Sequence, residues 1–203
     1  MKNAMSSREK AKAERRVQIV NAAIECFVTN GIRQTGIRDI AEQADVSLGN
    51  LYNHFAGKDE LIAAIAVLDG EDLERFAMAL GNHDDPAAAM REFVAGYSDY
   101  VCETDNAVLT IEIMAEALRT PVIAGHFDAN RRKLAEALSD TIQRGIAKGT
   151  MREQINIGET VSLLLDAIEG LGLRCGLART KPSPDARKAL DDMAFRLLSS
   201  RFE

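Results

Sequence analysis

The chain has 203 residues, of which 46% are hydrophobic, four are proline and three are cysteine, and its net charge is −6. That apolar share builds a core for one large domain or two small ones, whereas the acidic balance argues at first against a polyanionic partner. No N-terminal apolar run resembles a signal peptide, and no apolar stretch of about 20 residues is present to cross a bilayer, so a cytoplasmic protein with no membrane partner is expected.

The charge is unevenly spread. Residues 1–58 carry nine Lys/Arg against six Asp/Glu, a net +3, which leaves −9 for the remainder. A basic head on an acidic body points to nucleic acid at one end only. The other reading is a solvated basic arm with no partner. Cys26, Cys102 and Cys175 are far apart, odd in number and without CxxC or Cys/His metal spacing, so reduced packing cysteines are expected.

In chain order the sequence reads as helix after helix. The charged opening REKAKAERR leads into VQIVNAAIECFVTNG, where Val20, Ala23, Ile24, Phe27 and Val28 form one helical stripe. Asn30-Gly31 is a stop signal. Thr35 is placed to cap the next helix, whose inward face is Ile37, Ile40, Ala41 and Ala44. Ser47 is placed to cap a third, with Leu51 and Phe55 inward. A fourth helix opens at Lys58, with Asp59 and Glu60 in its first turn, and runs to Gly81-Asn82. Asp85-Pro86 is a cap followed by an N1 proline, and that helix carries Phe93, Tyr97 and Tyr100. Further starts stand at Thr120-Pro121 and near Asn156, a stop at Gly149 and a turn at Lys181 to Pro184. The last helix aligns Ala186, Leu190, Met193 and Leu197. REQINI, at Arg152 to Ile157, is too brief for a strand.

The stretch Thr35 to Lys58, TGIRDIAEQADVSLGNLYNHFAGK, carries the most information. Two short helices with a tight turn between them must pack closely and still leave one lean surface for a major groove about 12 Å wide. Ala41 and Ala44 permit the packing. Asp45 tolerates the positive φ of the turn at some cost, and Val46 lies beneath it. The N-terminal residues of the second helix, Leu48, Gly49 and Asn50, are those that reach base edges in such motifs. Gly49 is costly inside a helix, which suggests a backbone approached closely by something else. Tyr52, Asn53, His54 and Lys58 offer groups suited to phosphate oxygens. Ser47, Arg38 and Thr35 complete the candidate DNA-binding set.

These residues resemble the TetR family of bacterial transcriptional regulators. The resemblance rests on Ala23, Phe27, Gly31, Thr35, Ile40, Ala41, Ala44, Val46, Ser47, Gly49, Leu51, Tyr52, His54, Phe55 and Lys58 in order, and covers roughly the first third of the chain. Two departures stand out. Family members often have two threonines where this chain has Thr35-Gly36, and glycine where it has Asp45; the second is expected to strain the turn slightly without removing it.

The resemblance implies an all-α protein of about nine helices. Residues 1–58 would form the helix-turn-helix domain, with the motif at about 36–55, and residues 59–203 a ligand-binding and dimerisation domain. It also implies a homodimeric, ligand-released repressor. Each subunit would place one recognition helix in successive major grooves of a pseudo-palindromic DNA operator, and an unidentified small-molecule effector would release it.

The body has no motif of comparable strength. Leu164, Ile168, Leu171 and Cys175 share one helical face; with Leu190, Met193 and Leu197 they are candidates for a dimer interface, the alternative being intrachain core. Gly172 and Gly176 would let another helix approach closely. Phe76, Met90, Phe93, Tyr97, Tyr100, Ile113, Met114 and Phe127 are candidate walls of an effector pocket, or plain core. Glu112 and Glu116 would meet a cationic ligand or form a solvated face. His83-Asp84-Asp85 and His126-x-Asp128 lack a complete metal ligand set, so neither a metal nor a cofactor is expected. No Gly-rich phosphate loop, nucleophile elbow or Ser/His/Asp signature suggests an enzyme. A reading from another class is an all-helical module that binds a protein or small molecule, its basic arm incidental.

Overall fold

A computed structural model describes residues 7–199, and among them every regular element is an α-helix. The order is α1 (Ser7–Asn30), α2 (Ile37–Gln43), α3 (Leu48–Tyr52), α4 (Lys58–Asn82), α5 (Pro86–Val101), α6 (Thr104–Ala117), α7 (Pro121–Ala147), α8 (Ile157–Ala178) and α9 (Pro184–Leu198). The expected all-α class and the nine helices are therefore found among the described residues. No helix there is long and apolar enough to cross a membrane.

The punctuation residues act as their chemistry dictates. Gly31 takes φ +85° at the end of α1, and Gly149 takes φ +69° after α7. Asp85, Asn156 and Ser183 cap α5, α8 and α9 by accepting backbone N–H bonds. REQINI forms no strand; the one isolated bridge among the described residues joins Met151 and Ser199. The start of α6 carried no sequence signal, since neither Gly nor Pro marks the break at Cys102-Glu103.

The chain divides into two compact units. The first runs to Leu68 and also takes in Glu112–Ala124; the second holds Asp69–Ile111 and the chain from Gly125 onward. The boundary thus falls within α4 rather than at Lys58, because the first turns of α4 belong to the head core. Leu61, Ile62 and Ile65 are buried there with Ile19, Phe27 and Ile40. Each such side chain contributes about 2 kcal/mol through removal from water.

In the second unit α8 packs on α5 and α9. Leu164, Leu165 and Ile168 are fully buried and pack with Phe93, Tyr97 and Leu138 in one core. A Cβ on Gly172 would sit 2.8 Å from the Val101 carbonyl oxygen, and one on Gly176 would sit 2.9 Å from Ala107 backbone. The close approach read from these glycines is real, and it is made within the chain, to the α5–α6 junction.

The turn between α2 and α3 is a Schellman motif: Val46 N–H donates to Ala41 O at 3.0 Å and Asp45 N–H to Glu42 O at 3.1 Å. It holds Asp45 at φ +50°, a left-handed conformation that a side chain resists by about 1–2 kcal/mol. Asp45→Gly is therefore expected to raise unfolding stability by about 1 kcal/mol, read from denaturant melts at unchanged m. An unchanged or lower stability would mean that the aspartate carries a compensating bond.

Candidate nucleic-acid interface

α3 has only five residues, and its place is set from both ends and from below. Ser47 caps it, Oγ accepting the Asn50 N–H at 3.1 Å. Leu51 (0% exposed) and Phe55 (1%) anchor it in the head core. From α1, Gln18 donates to the Ala44 carbonyl at 2.6 Å, which fixes the turn just before it. Arg16 donates to the His54 carbonyl at 2.6 Å and lies 4.0 Å above the Phe55 ring, which fixes the end.

What remains outward is lean. Gly49, Asn50, Tyr52 and Asn53 are exposed, Leu48 is half-buried, and Arg38 stands exposed on α2. A Cβ built on Gly49 meets nothing within 4 Å. The fold itself therefore has no need of glycine there. Beside this surface runs a basic strip that the motif did not disclose. Lys12, Arg15 and Arg16 lie close enough to His54 to lower its pKa, an effect second to burial of the imidazole. Lys12 and Arg15 are exposed on α1. Their i, i+3, i+4 spacing in the opening helix was the available signal.

Three expected residues behave differently. Thr35 does not cap α2: Gly36 occupies the N-cap and donates its N–H to Asp39 at 2.7 Å. The Thr35 side chain is buried, with its hydroxyl 2.8 Å from Gly31 O and 3.2 Å from Cys26 O, so it serves the head core. Lys58 turns inward, its ammonium donating to Ile32 O at 2.8 Å and Thr35 O at 3.0 Å. Glu112, read as a ligand carboxylate or a solvated face, accepts the Ile32 N–H at 2.9 Å. The connection from α1 to α2 is thus held by a cation and an anion from distant helices.

The aromatic residues read as pocket walls pack on one another. Phe76 meets Phe93, Tyr97 and Tyr100 edge-on, and Tyr97 stacks on Phe93 at 5.2 Å. Their hydroxyls are engaged as well, Tyr97 donating to Glu169 and Tyr100 to Asp72 at 3.3 Å. Met114 is 51% exposed, and Ile113 is buried in the first unit, so neither joins the cluster. Phe127 is half-buried on α7. Met90 instead borders a separate cavity between α5 and α9.

Most of the residues expected at a dimer face are covered within the chain itself. Leu164, Ile168, Cys175 and Leu190 are buried in the chain's own core, and Leu171 and Leu197 are half-buried. Only Met193 of that set is exposed. On α8 the outward apolar residues are Leu163 and Leu177, 58% and 67% exposed, on the face opposite Leu164 and Ile168.

The inward turn of Lys58 has a measurable consequence. Removing it leaves two carbonyls without their charged donor, a loss of about 2 kcal/mol for a charge-assisted bond. Lys58→Met is expected to lower unfolding stability by that order in denaturant melts; unchanged stability would return Lys58 to a purely phosphate-contacting role.

Comparison with known proteins agrees with this geometry. The sequence profile for "Bacterial regulatory proteins, tetR family" matches residues 19–65. The HTH-type transcriptional regulator UidR of Escherichia coli is 30% identical over 165 residues, covering 77% of this chain and 79% of UidR. Salmonella enterica GusR superposes with a TM-score of 0.76 at 26% identity, covering 91% of this chain and 95% of GusR. Bacillus subtilis FadR, solved in complex with stearoyl-CoA, shares the fold at a TM-score of 0.75 and 20% identity, covering 92% and 99%. The chain belongs to the TetR family of bacterial transcriptional regulators.

Proposed function

We infer that the protein is a cytoplasmic homodimeric repressor that binds a pseudo-palindromic duplex operator and is released by a small-molecule effector. Each subunit lays the outward face of α3 in a major groove. The two grooves lie about 34–36 Å apart, the repeat of one helical turn. Asn50 reaches base edges, while Arg38, Tyr52, Lys12 and Arg15 meet the flanking phosphates and set register rather than sequence. Gly49 is the observation that carries this reading. It weakens its own helix, and nothing in its own head requires the missing side chain. On the outward face of α3 a glycine the fold does not require leaves room for a surface that comes within backbone distance.

Repression follows from occupancy, and release from a two-state body. An effector that favours the DNA-incompetent arrangement shifts the population by no more than its differential affinity for the two states.

Gly49→Ala separates the two sides of the argument. In the free protein it is expected to raise stability by about 0.5–1 kcal/mol, as Ala replaces Gly within a helix. On a duplex selected from a randomised library it is expected to weaken binding at least about tenfold, a loss of about 1.4 kcal/mol. Full affinity in the alanine variant, measured by gel shift at fixed salt, would remove the groove contact from the account.

The homodimer is supported by the apolar face that α8 turns outward. Leu163 and Leu177 lie fourteen residues apart, about four helical turns, on one stripe. Gly170, midway between them, would place a Cβ in open space. Leu163→Glu with Leu177→Glu is expected to give a folded monomer by size-exclusion chromatography with light scattering. A dimer that persists in this variant would put the interface elsewhere.

A further inference from the structure

Between α5 and α9 the second unit holds a half-open cavity of about 440 Å³, within the range of about 300–1,000 Å³ common to small-molecule sites. One wall is a stripe of α5, Ala87, Met90, Arg91, Val94 and Ala95; the facing wall is Asp191, Asp192, Ala194, Phe195 and Leu198 of α9. Backbone closes one end, where Met151 pairs with Ser199 and Arg152 N–H donates to Leu198 O at 3.0 Å. Gly145 makes room for that closure, since a Cβ on it would lie 2.5 Å from the Met151 sulfur. The thioethers of Met90 and Met151 give the interior soft, adaptable walls. Phe195 borders the cavity yet is 55% exposed.

The polar groups define what fits. Asp191 and Asp192 form no ion pair among the described residues. Arg91, the lining cation, already lies in the field of the Asp85 carboxylate. The cavity thus sets two α9 carboxylates and one α5 guanidinium beside an apolar interior, a lining with one more negative than positive charge. One helical turn beyond Val94 on the same α5 stripe, Ser98 is 4% exposed and its hydroxyl has no hydrogen-bond partner. Ser98 is not part of the cavity lining, so the polar groups available to an occupant are those of Arg91, Thr150, Asp191 and Asp192.

We propose that this cavity is a binding site for a cationic amphiphile, its apolar body between α5 and α9 and its ammonium head against Asp191 and Asp192. The proposal deepens the effector reading above and rests on it. It relocates the effector site from the close-packed aromatic cluster to the opening beside α9.

The test uses the whole protein without DNA. Thermal unfolding is followed by circular dichroism with octyltrimethylammonium, octanoate or octanol at equal concentrations below micelle formation. The ammonium compound is expected to raise Tm by roughly 3–6 °C at about ten times its Kd, while octanoate and octanol leave it unmoved. Asp191→Asn with Asp192→Asn is expected to abolish the rise. Ala95→Leu, which adds bulk at an exposed helical position, is expected to reduce it without loss of fold. No rise with the ammonium compound, an equal rise with octanoate, or a rise that survives both variants would each overturn the proposal. With no DNA in the assay, such a failure leaves operator binding as it stands; a protein that binds the ammonium compound yet retains no duplex from the randomised library would count against the regulator reading instead.

Discussion

A helix of five residues cannot hold itself, because nucleating a turn costs more than its few hydrogen bonds return. α3 exists as a helix only because Leu51 and Phe55 are sunk in the head core and both its ends are fastened. Everything attributed to the protein depends on that anchorage. It lets the outward face be stripped of apolar bulk, since the inward face does all the holding. A longer helix would be more stable alone and would carry more side chains to obstruct a groove.

The same logic explains the polar ties around the head. Arg16 reaches across to the end of α3, Gln18 to the turn before it, and Lys58 and Glu112 to the α1–α2 connection. Each satisfies a backbone group that irregular chain would otherwise leave unmet. Each also fixes a loop whose displacement would tilt α3. The strained Asp45 belongs to this set, for it trades local stability for the angle between the two motif helices.

The head was largely legible in the sequence and the body much less so. Gly31, Asp45, Ser47 and Leu51 take the conformations and burial that their chemistry announces, because turn and cap residues act locally. Thr35 does not cap α2, and the inward bonds of Thr35 and Lys58 went unforeseen because their partners are backbone carbonyls, which no periodicity records. In α8 the stripe through Leu164, Ile168 and Cys175 was correctly read as apolar, yet a stripe does not say whether its cover is the same chain or another copy. Gly172 and Gly176 hold the answer, as they bring that face against the α5–α6 junction. In α9 the buried stripe is Leu190, Ala194 and Leu198, not Met193 and Leu197. Both registers are apolar, and only packing selects between them. The break before α6 was missed for want of Gly or Pro.

The central claim is that the lean face of α3 is the surface a duplex occupies. The most direct measurement is the amide NMR spectrum of the protein titrated with a selected duplex, at a salt concentration that suppresses non-specific binding. The account predicts that the Gly49 and Asn50 amides shift and saturate together with the Lys12 and Arg15 strip, while Leu164 and Ile168 stay in place at the first contact. Saturable binding in which Gly49 and Asn50 do not move, and other residues do, would contradict it.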